Sequence, residues 1–137
     1  MKSERKGNRI LLVDDETDIT TLFKIALEDA GFIAHAYNDP LIALSEFKPG
    51  YYDLVILDVK MPEMNGFELY ANMRKVDNQV KFCFITAVQT YYDEVRKAKR
   101  EEEGEEPYCK LNTERFLQKP ISNVELLDTI DKVMMQR

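Results

Sequence analysis

Residues 54–58 read Leu54-Val55-Ile56-Leu57-Asp58, four apolar side chains followed by one carboxylate. A short, continuous apolar run is typical of a strand buried on both faces, as in a parallel sheet covered by helices. Three further apolar runs end on a polar residue: residues 10–13 before Asp14 and Asp15, residues 82–85 before Thr86, and residues 116–118 before Lys119. The crevice of an open parallel sheet lies outside the carboxyl ends of its strands. We therefore expect three carboxylates, a hydroxyl and an ammonium around one crevice.

Strand and helix patterns alternate five times along the chain, which is typical of an α/β domain with a parallel sheet. The expected strands cover residues 9–13, 33–37, 54–57, 81–85 and 115–118. The expected helices cover residues 17–30, 40–47, 66–76 and 91–103, and the last one begins after Ser122. In the order 2-1-3-4-5, one of two common doubly wound arrangements, strands one and three are neighbours. Asp14, Asp15 and Asp58 would then converge.

Local signals mark several helix ends. Gly31 follows the first helix as a stop signal, and Asp39-Pro40 predicts an N-cap with proline at the first helical position. Ser122 and Glu125 form a capping-box pattern at the start of the last helix. We expect the first helix to have one apolar face, formed by Ile19, Leu22, Phe23, Ala26 and Leu27.

Composition limits the classes of protein to consider. The chain has 137 residues and a net charge of −6, which predicts one domain and argues against a general nucleic-acid binder. Residues 1–8 form a short polar extension with no apolar segment behind it, and no apolar run approaches the roughly 20 residues needed to cross a bilayer. We therefore expect a cytoplasmic protein without membrane contact. The two cysteines, Cys83 and Cys109, have no metal-binding spacing, and His35 is expected to have a structural or surface role.

The predicted crevice has the chemistry of a phosphoryl-transfer site. Three close carboxylates repel one another, so at least one pKa should rise unless a cation intervenes. Mg²⁺ is the natural cation, since it prefers carboxylates, water and phosphate oxygens. Asp58 at the tip of the central strand suits a nucleophile that forms an aspartyl phosphate. Lys119 would supply positive charge, and the Thr86 hydroxyl could donate to a phosphoryl oxygen.

With these residues the chain resembles the receiver domains of two-component response regulators, of the stand-alone chemotaxis-regulator type. The resemblance covers residues 9–136 and implies a flavodoxin-like doubly wound sheet of five parallel strands, with five helices. Its most specific stretch is Asp58-Val59-Lys60-Met61-Pro62-Glu63-Met64-Asn65-Gly66. The other matching segments are residues 12–16, Thr86-Ala87 and Lys119-Pro120.

The resemblance implies a signalling role and a magnesium site. Asp58 would accept a phosphoryl group from a phosphohistidine on a sensor histidine kinase or phosphotransfer protein. Asp15, Asp58 and the backbone carbonyl of Lys60 would bind Mg²⁺, and Asp14 would act mainly through water. Such a domain is not an enzyme beyond catalysing its own phosphorylation and dephosphorylation.

The resemblance also implies a switch that changes a binding surface. Lys119 would contact the phosphoryl group, and its bond to Pro120 is expected to be cis. Thr86 would move toward the phosphate and Phe116 would follow, altering the surface formed by the fourth helix, the fifth strand and the last helix. An unidentified downstream protein would read that surface, and the domain would be a monomer or a phosphorylation-linked dimer.

Two features depart from the family pattern. Phe116 replaces the commoner tyrosine, so the switch lacks that hydroxyl. Thr86 and Lys119 are 33 positions apart, more than is usual, with the additional residues falling around 101–112. Lys60 and Val88, two positions after Asp58 and Thr86, are expected to influence the rate of dephosphorylation.

Three other interpretations are open at the level of sequence. A phosphatase of the haloacid-dehalogenase type would need a second aspartate two residues after the nucleophile, where this chain has Lys60. A phosphorylation-independent docking module would usually lack one key acid or the lysine, and all are present. A third possibility is the N-terminal part of a longer regulator with an output domain.

Overall fold

A computed structural model describes residues 8–86 and 116–135. For Phe116 it describes the backbone alone. The strands are β1 (Arg9–Val13), β2 (Ile33–Tyr37), β3 (Leu54–Asp58), β4 (Lys81–Thr86) and β5 (Phe116–Gln118). The helices are α1 (Thr17–Asp29), α2 (Pro40–Glu46), α3 (Gly66–Val76) and α4 (Asn123–Met135). Four features of the sequence prediction lie outside the described residues: Val88, the helix over residues 91–103, the 101–112 segment and Cys109. The helix labelled α4 is therefore the predicted last helix.

The five strands form one parallel sheet in the order β2-β1-β3-β4-β5. This is the flavodoxin-like doubly wound fold, and it confirms the predicted strand order. In the register, Val13 of β1 pairs with Leu57 of β3, and Asp58 pairs with Ile85 of β4. The carboxyl ends of the three central strands therefore finish at the same edge of the sheet.

Helices cover both faces of the sheet, and two apolar clusters fill the space beneath them. Alternate residues of a strand point to opposite faces. Accordingly, Leu11, Val55 and Phe84 pack toward α2 and α3, while neighbouring positions such as Ile56 and Cys83 pack toward α1 and α4. Because every residue of β3 is buried, the central strand is apolar up to Asp58, its last residue.

The helix ends follow the predicted signals. Gly31 has a φ of 101°, a left-handed conformation that glycine adopts at low cost. The Asp39 carboxylate accepts from the Leu41 backbone N–H at 2.9 Å, with Pro40 at the first helical position. The Ser122 hydroxyl accepts from the Glu125 N–H at 3.1 Å, which confirms the cap of α4.

The prediction that Leu22 belongs to the buried face of α1 is wrong. Its side chain is 61% exposed, whereas Thr20 is buried. The Thr20 hydroxyl can be buried because it donates to the Thr17 carbonyl at 3.0 Å and accepts from the Asn38 amide at 3.0 Å. Thr20, whose hydroxyl is hydrogen-bonded, thus lies on the buried face of α1 where the apolar pattern had predicted Leu22.

None of the four helices in the described ranges is long and apolar enough to cross a membrane.

Candidate functional site

Four strand ends supply the polar groups of the crevice. Asp14 follows β1, Asp58 ends β3, Thr86 ends β4 and Lys119 follows β5. Asp14, Asp58 and Thr86 are buried, whereas Asp15 is exposed beside them. The predicted convergence of these residues at one edge of the sheet is therefore observed.

The loop between β1 and α1 is held by its own backbone and by Asn38. The Asp14 N–H donates to the Tyr37 carbonyl at 3.1 Å, and the Asn38 amide donates to the Asp14 carbonyl at 2.8 Å. The Asp14 carboxylate accepts from the Glu16 N–H at 2.9 Å. Sequence reasoning missed Asn38, because a lone asparagine after a strand carries no signal for a contact 24 positions away.

The loop between β3 and α3 is anchored directly after Asp58, through both backbone groups of Val59. The Val59 N–H donates to the Ile85 carbonyl at 2.9 Å, and the Val59 carbonyl accepts from the Gly66 N–H at 2.7 Å. Asn65 and Glu68 then cap α3 reciprocally at 2.8 and 2.9 Å. This loop holds the backbone of Asp58 against the first turn of α3.

Lys119 reaches three carboxylates. Its Nζ lies 2.6 Å from Oε1 of Glu16, 3.2 Å from Oδ2 of Asp14 and 3.5 Å from Oδ1 of Asp58. The backbone N–H of Lys119 donates to the Thr86 carbonyl at 2.8 Å, and the peptide bond to Pro120 is cis, as predicted. The contact with Glu16 was not predicted, although Glu16 directly follows the two aspartates.

The electrostatics of the crevice follow from burial and from crowding of like charges. The pKa of Asp58 is raised to about 7, mainly by burial and secondly by the negative charge of Asp14, while the positive charge of Lys119 acts in the opposite direction. Burial also raises the pKa of Asp14. Burial alone would lower the pKa of Lys119, but the bond to Glu16 and the charges of Asp14 and Asp58 outweigh it, so the pKa is raised.

The carboxylates fit a hard divalent cation. One oxygen from each of Asp14, Asp15 and Asp58 lies within 4.8 Å of the others. Oδ2 of Asp14 is buried and, although it lies near the Lys119 ammonium, it has no aligned hydrogen bond in the described structure. Buried, crowded carboxylate oxygens of this kind are the ligands that Mg²⁺ prefers. The donor set therefore fits the cation inferred from the sequence.

An open cleft of about 600 Å³ gives access to these groups. It is lined by Lys60, Met61 and Pro62 as well as by Glu16, Asp58 and Lys119. Thr86 also borders the cleft, at the end of β4. Of the predicted switch pair, Phe116 is described only through its backbone, which pairs with Phe84 in the sheet.

Comparison with known proteins gives a consistent result. Residues 10–131 match the family model described as the response regulator receiver domain. The chain is 31% identical to the chemotaxis protein CheY-3 of Vibrio cholerae over 129 residues, covering 93% of this chain and 92% of that protein. It is 33% identical to the CpxR homolog of Haemophilus influenzae, a transcriptional regulatory protein, over 93% of this chain and 50% of the relative. The non-phosphorylated HemR receiver domain of Leptospira biflexa superposes with a TM-score of 0.74 at 26% identity, covering 95% of this chain and 96% of that one.

The relatives differ in length. This chain spans half or less of the first curated relatives that it matches, such as 50% of the CpxR homolog and 19% of the regulatory protein AtoC of Escherichia coli.

Proposed function

The chain belongs to the response regulator receiver domain family, and from that membership we propose that it is a phosphorylation-controlled switch of a two-component signalling system. Receiver domains are signalling modules that interact with histidine kinases or phosphotransfer proteins. The proposed domain covers residues 9–136. The proposed reaction transfers a phosphoryl group from a phosphohistidine to Asp58.

The single observation that carries this proposal is the surroundings of Asp58. Its carboxylate lines an open cleft, 3.5 Å from the Lys119 ammonium and beside the carboxylates of Asp14 and Asp15. Phosphoryl transfer needs mainly in-line positioning and neutralisation of charge. The Lys119 ammonium and the carboxylate oxygens suited to a divalent cation serve the neutralisation of charge, and the open cleft leaves room for a phosphodonor beside the nucleophile.

The proposed step exchanges one bond to phosphorus for another. A carboxylate oxygen of Asp58 attacks phosphorus, an O–P bond forms, and the N–P bond of the phosphohistidine breaks. The electron pair of that bond stays on the imidazole nitrogen, which is protonated as it leaves. Lys119 neutralises charge on the phosphoryl oxygens, and the Thr86 hydroxyl is proposed to donate to one of them.

Mg²⁺ would be held by Asp15, Asp58 and the backbone carbonyl of Lys60, with Asp14 acting mainly through water. When bound, it supplies positive charge that offsets repulsion between the carboxylates and the incoming phosphoryl group. Asp14 and Asp15 are proposed to orient this charge toward Asp58.

Phosphorylation is proposed to act as a local charge change with a remote effect. Thr86 and Phe116 are the proposed switch residues, and the surface that includes β5 and α4 is the proposed output surface, recognised by a downstream protein. Hydrolysis of unrelated phosphomonoesters is not part of the proposal, because the position of a phosphatase's second aspartate is held by Lys60.

A phosphorylation assay tests the proposal. The protein is incubated with Mg²⁺ and acetyl phosphate, and its intact mass is measured; beryllofluoride, a phosphoryl mimic, is added to a second sample for amide NMR. We expect a labile adduct of one phosphoryl group on the wild type. We also expect Mg²⁺-dependent shifts that reach Thr86 and β5.

Two variants provide the controls. Asp58→Asn removes the proposed acceptor and should give no adduct. Asp53→Asn removes an exposed carboxylate just before the amino end of the same strand, and should be phosphorylated like the wild type. Absence of an adduct and of any mimic-dependent shift in the wild type would contradict the proposal and favour a phosphorylation-independent docking module.

A further inference from the structure

Lys119 makes its shortest contact with a residue that has no part in the proposed transfer. Its Nζ is 2.6 Å from Glu16, compared with 3.5 Å from Asp58. Charge-assisted N–H···O bonds are usually about 2.7–2.9 Å long. The ammonium is thus closest to Glu16, lies 3.2 Å from Asp14, and is farthest from Asp58.

The backbone around Glu16 directs its side chain toward the lysine. Glu16 occupies the N-cap position of α1, where a side chain commonly accepts from the helix, yet its carboxylate makes no such cap. Its N–H is held by the Asp14 carboxylate at 2.9 Å, and its carbonyl accepts from Ile19 at 3.1 Å. With both backbone groups of Glu16 bonded within the loop, its carboxylate accepts from Lys119, 103 positions away in the sequence.

The two carboxylates differ in how easily they can release the lysine. The Glu16 side chain is 59% exposed, whereas that of Asp58 is 6% exposed. Ion pairs with an exposed partner are weakened by water and salt. A phosphoryl group on Asp58 would bring two negative charges to the buried side of Lys119 and would compete with Glu16 for the same ammonium.

We propose that Glu16 is a positioning residue that holds Lys119 in the unphosphorylated protein and thereby opposes phosphorylation. The phosphoryl group must draw the ammonium away from Glu16, so the strength of this pair sets part of the affinity of the site for a phosphoryl group. This inference rests on the proposed function, since it assigns a role to Glu16 in that reaction.

The test measures binding of beryllofluoride at saturating Mg²⁺ by amide NMR titration. Glu16→Gln keeps the size of the side chain and removes its charge. We expect tighter binding of the mimic, on the order of 1.5- to 5-fold, as for the loss of a partly exposed ion pair. The rate of phosphorylation by acetyl phosphate should rise in the same direction.

Two further variants separate the specific pair from a general effect of charge. Asp18→Asn removes the same charge from the exposed first turn of α1, close to the site in sequence. Its effect on binding should be clearly smaller than that of Glu16→Gln. Glu16→Asp keeps the charge but shortens the side chain by one methylene, so it should bind the mimic more tightly than the wild type does.

A second measurement observes the Glu16–Lys119 ion pair in the absence of any phosphoryl donor. The ¹⁵N signal of the Lys119 ammonium should change on Glu16→Gln in the free protein, and should change little on Asp18→Asn. After addition of the mimic, wild type and Glu16→Gln should give similar Lys119 signals, because the pair has opened.

The outcomes are distinguishable. If the wild type and all variants fail to bind the mimic, the proposed function fails and this inference falls with it. If the wild type binds but Glu16→Gln binds no more tightly than Asp18→Asn, this inference alone is overturned. Weaker binding by Glu16→Gln would also overturn it, since Glu16 would then assist Lys119 rather than restrain it.

Discussion

Gly66 lies against the backbone of Asp58 so closely that a Cβ atom on residue 66 would be 2.3 Å from the Asp58 carbonyl oxygen. The same atom would be 3.0 Å from Cα of Val59. These neighbours are backbone atoms, which cannot rotate away as a flexible side chain can. The first residue of α3 thus sets the position of the strand end that carries the proposed phosphoacceptor.

Gly66→Ala should therefore damage both the fold and the site. We expect the free energy of unfolding to fall by about 2 kcal/mol or more, as for overpacking of a tight core. We also expect slower phosphorylation at temperatures where the variant remains folded. Urea unfolding and the intact-mass assay measure the two effects.

Gly50→Ala is the matched control. Gly50 has a φ of +74°, but a Cβ atom on residue 50 would meet no other atom within 4 Å. Alanine there costs backbone strain alone, about 1 kcal/mol. Its phosphorylation rate should equal that of the wild type. Equal rates for both alanine variants would contradict the role given to Gly66.

The stability of the metal-free protein should fall as the pH rises through the titration of Asp58. The folded-state pKa is raised from 3.8 to about 7, so between these values the folded protein binds the proton more tightly than the unfolded chain does. Stability is therefore highest below the unfolded pKa and is lost up to about pH 7. Urea unfolding in a chelating buffer from pH 5 to pH 8 measures this slope.

Asp58→Asn should remove that slope. At pH 8 without divalent ions, the variant should be more stable than the wild type, on the order of 1 to 3 kcal/mol, because the buried charge is gone. Asp53→Asn, which changes an exposed carboxylate, should keep the wild-type slope. An unchanged slope in Asp58→Asn would show that another group is responsible.

Mg²⁺ should stabilise the wild type more than Asp58→Asn. A ligand that binds only the folded state adds about 2.7 kcal/mol when its concentration is 100 times its dissociation constant. Thermal unfolding at several Mg²⁺ concentrations, with Na⁺ at matched ionic strength as the control, measures this gain. Equal gains for both proteins would exclude Asp58 from the metal site.

Asn38→Ala should weaken metal binding from outside the carboxylate cluster. The amide of Asn38 joins the Asp14 carbonyl to the Thr20 hydroxyl, at 2.8 and 3.0 Å. Loss of outer contacts that orient metal ligands typically lowers affinity about 10- to 100-fold. Here we expect the lower end, about 10-fold, because Asn38 contacts the backbone of Asp14 and not its carboxylate. Mg²⁺ titration followed by amide NMR tests this, with Ser45→Ala, an exposed hydroxyl on α2, as the control that should bind like the wild type.

Asp77 should support the fold at neutral pH and lose that effect in acid. Its carboxylate accepts from the N–H groups of Gly50 at 2.8 Å, Gln79 at 2.8 Å and Val80 at 3.3 Å, and the bond from Gly50 contributes most to lowering its pKa below 3.8. A lowered pKa gives stability that is present above 3.8 and is lost as the pH falls through the folded-state pKa.

Asp77→Ala should thus cost about 2 kcal/mol at pH 7 and less at pH 3, as measured by urea unfolding. The control Asp128→Asn removes an exposed ion pair with Lys132 and should cost about 0.5 kcal/mol or less. A pH-independent cost for Asp77→Ala would contradict the assigned role of the carboxylate.

The elements of this fold are largely predictable because they depend on local patterns. The limits of β1, β2 and α3 match the sequence prediction, and the other described limits differ by one residue or so. Buried strands require continuous apolar runs, and helix ends require residues such as Gly31 and Asp39, so both leave a local record. Leu22 was misplaced because apolar periodicity alone does not register that Thr20 can be buried once its hydroxyl is bonded.

The polar contacts in the crevice were less predictable. Asp14, Asp15, Asp58, Thr86 and Lys119 could be grouped because each ends an apolar run, and strand ends meet at one edge of a parallel sheet. That rule predicts that these side chains lie near one another, but it does not predict which of them are in contact or at what distance.

Local sequence patterns are sufficient for the α/β class, the strands, most helix ends and the grouping of five crevice residues, since apolar runs and capping residues act within a few positions of one another. The partners that the polar groups take emerge only from the packed fold. Lys119 pairs with Glu16, the Asn38 amide donates to the Asp14 carbonyl, and Gly66 lies against the backbone of Asp58. These contacts depend on side-chain rotamers and loop paths that are settled only when distant segments pack, because many partners compete for each charged group until the chain is folded.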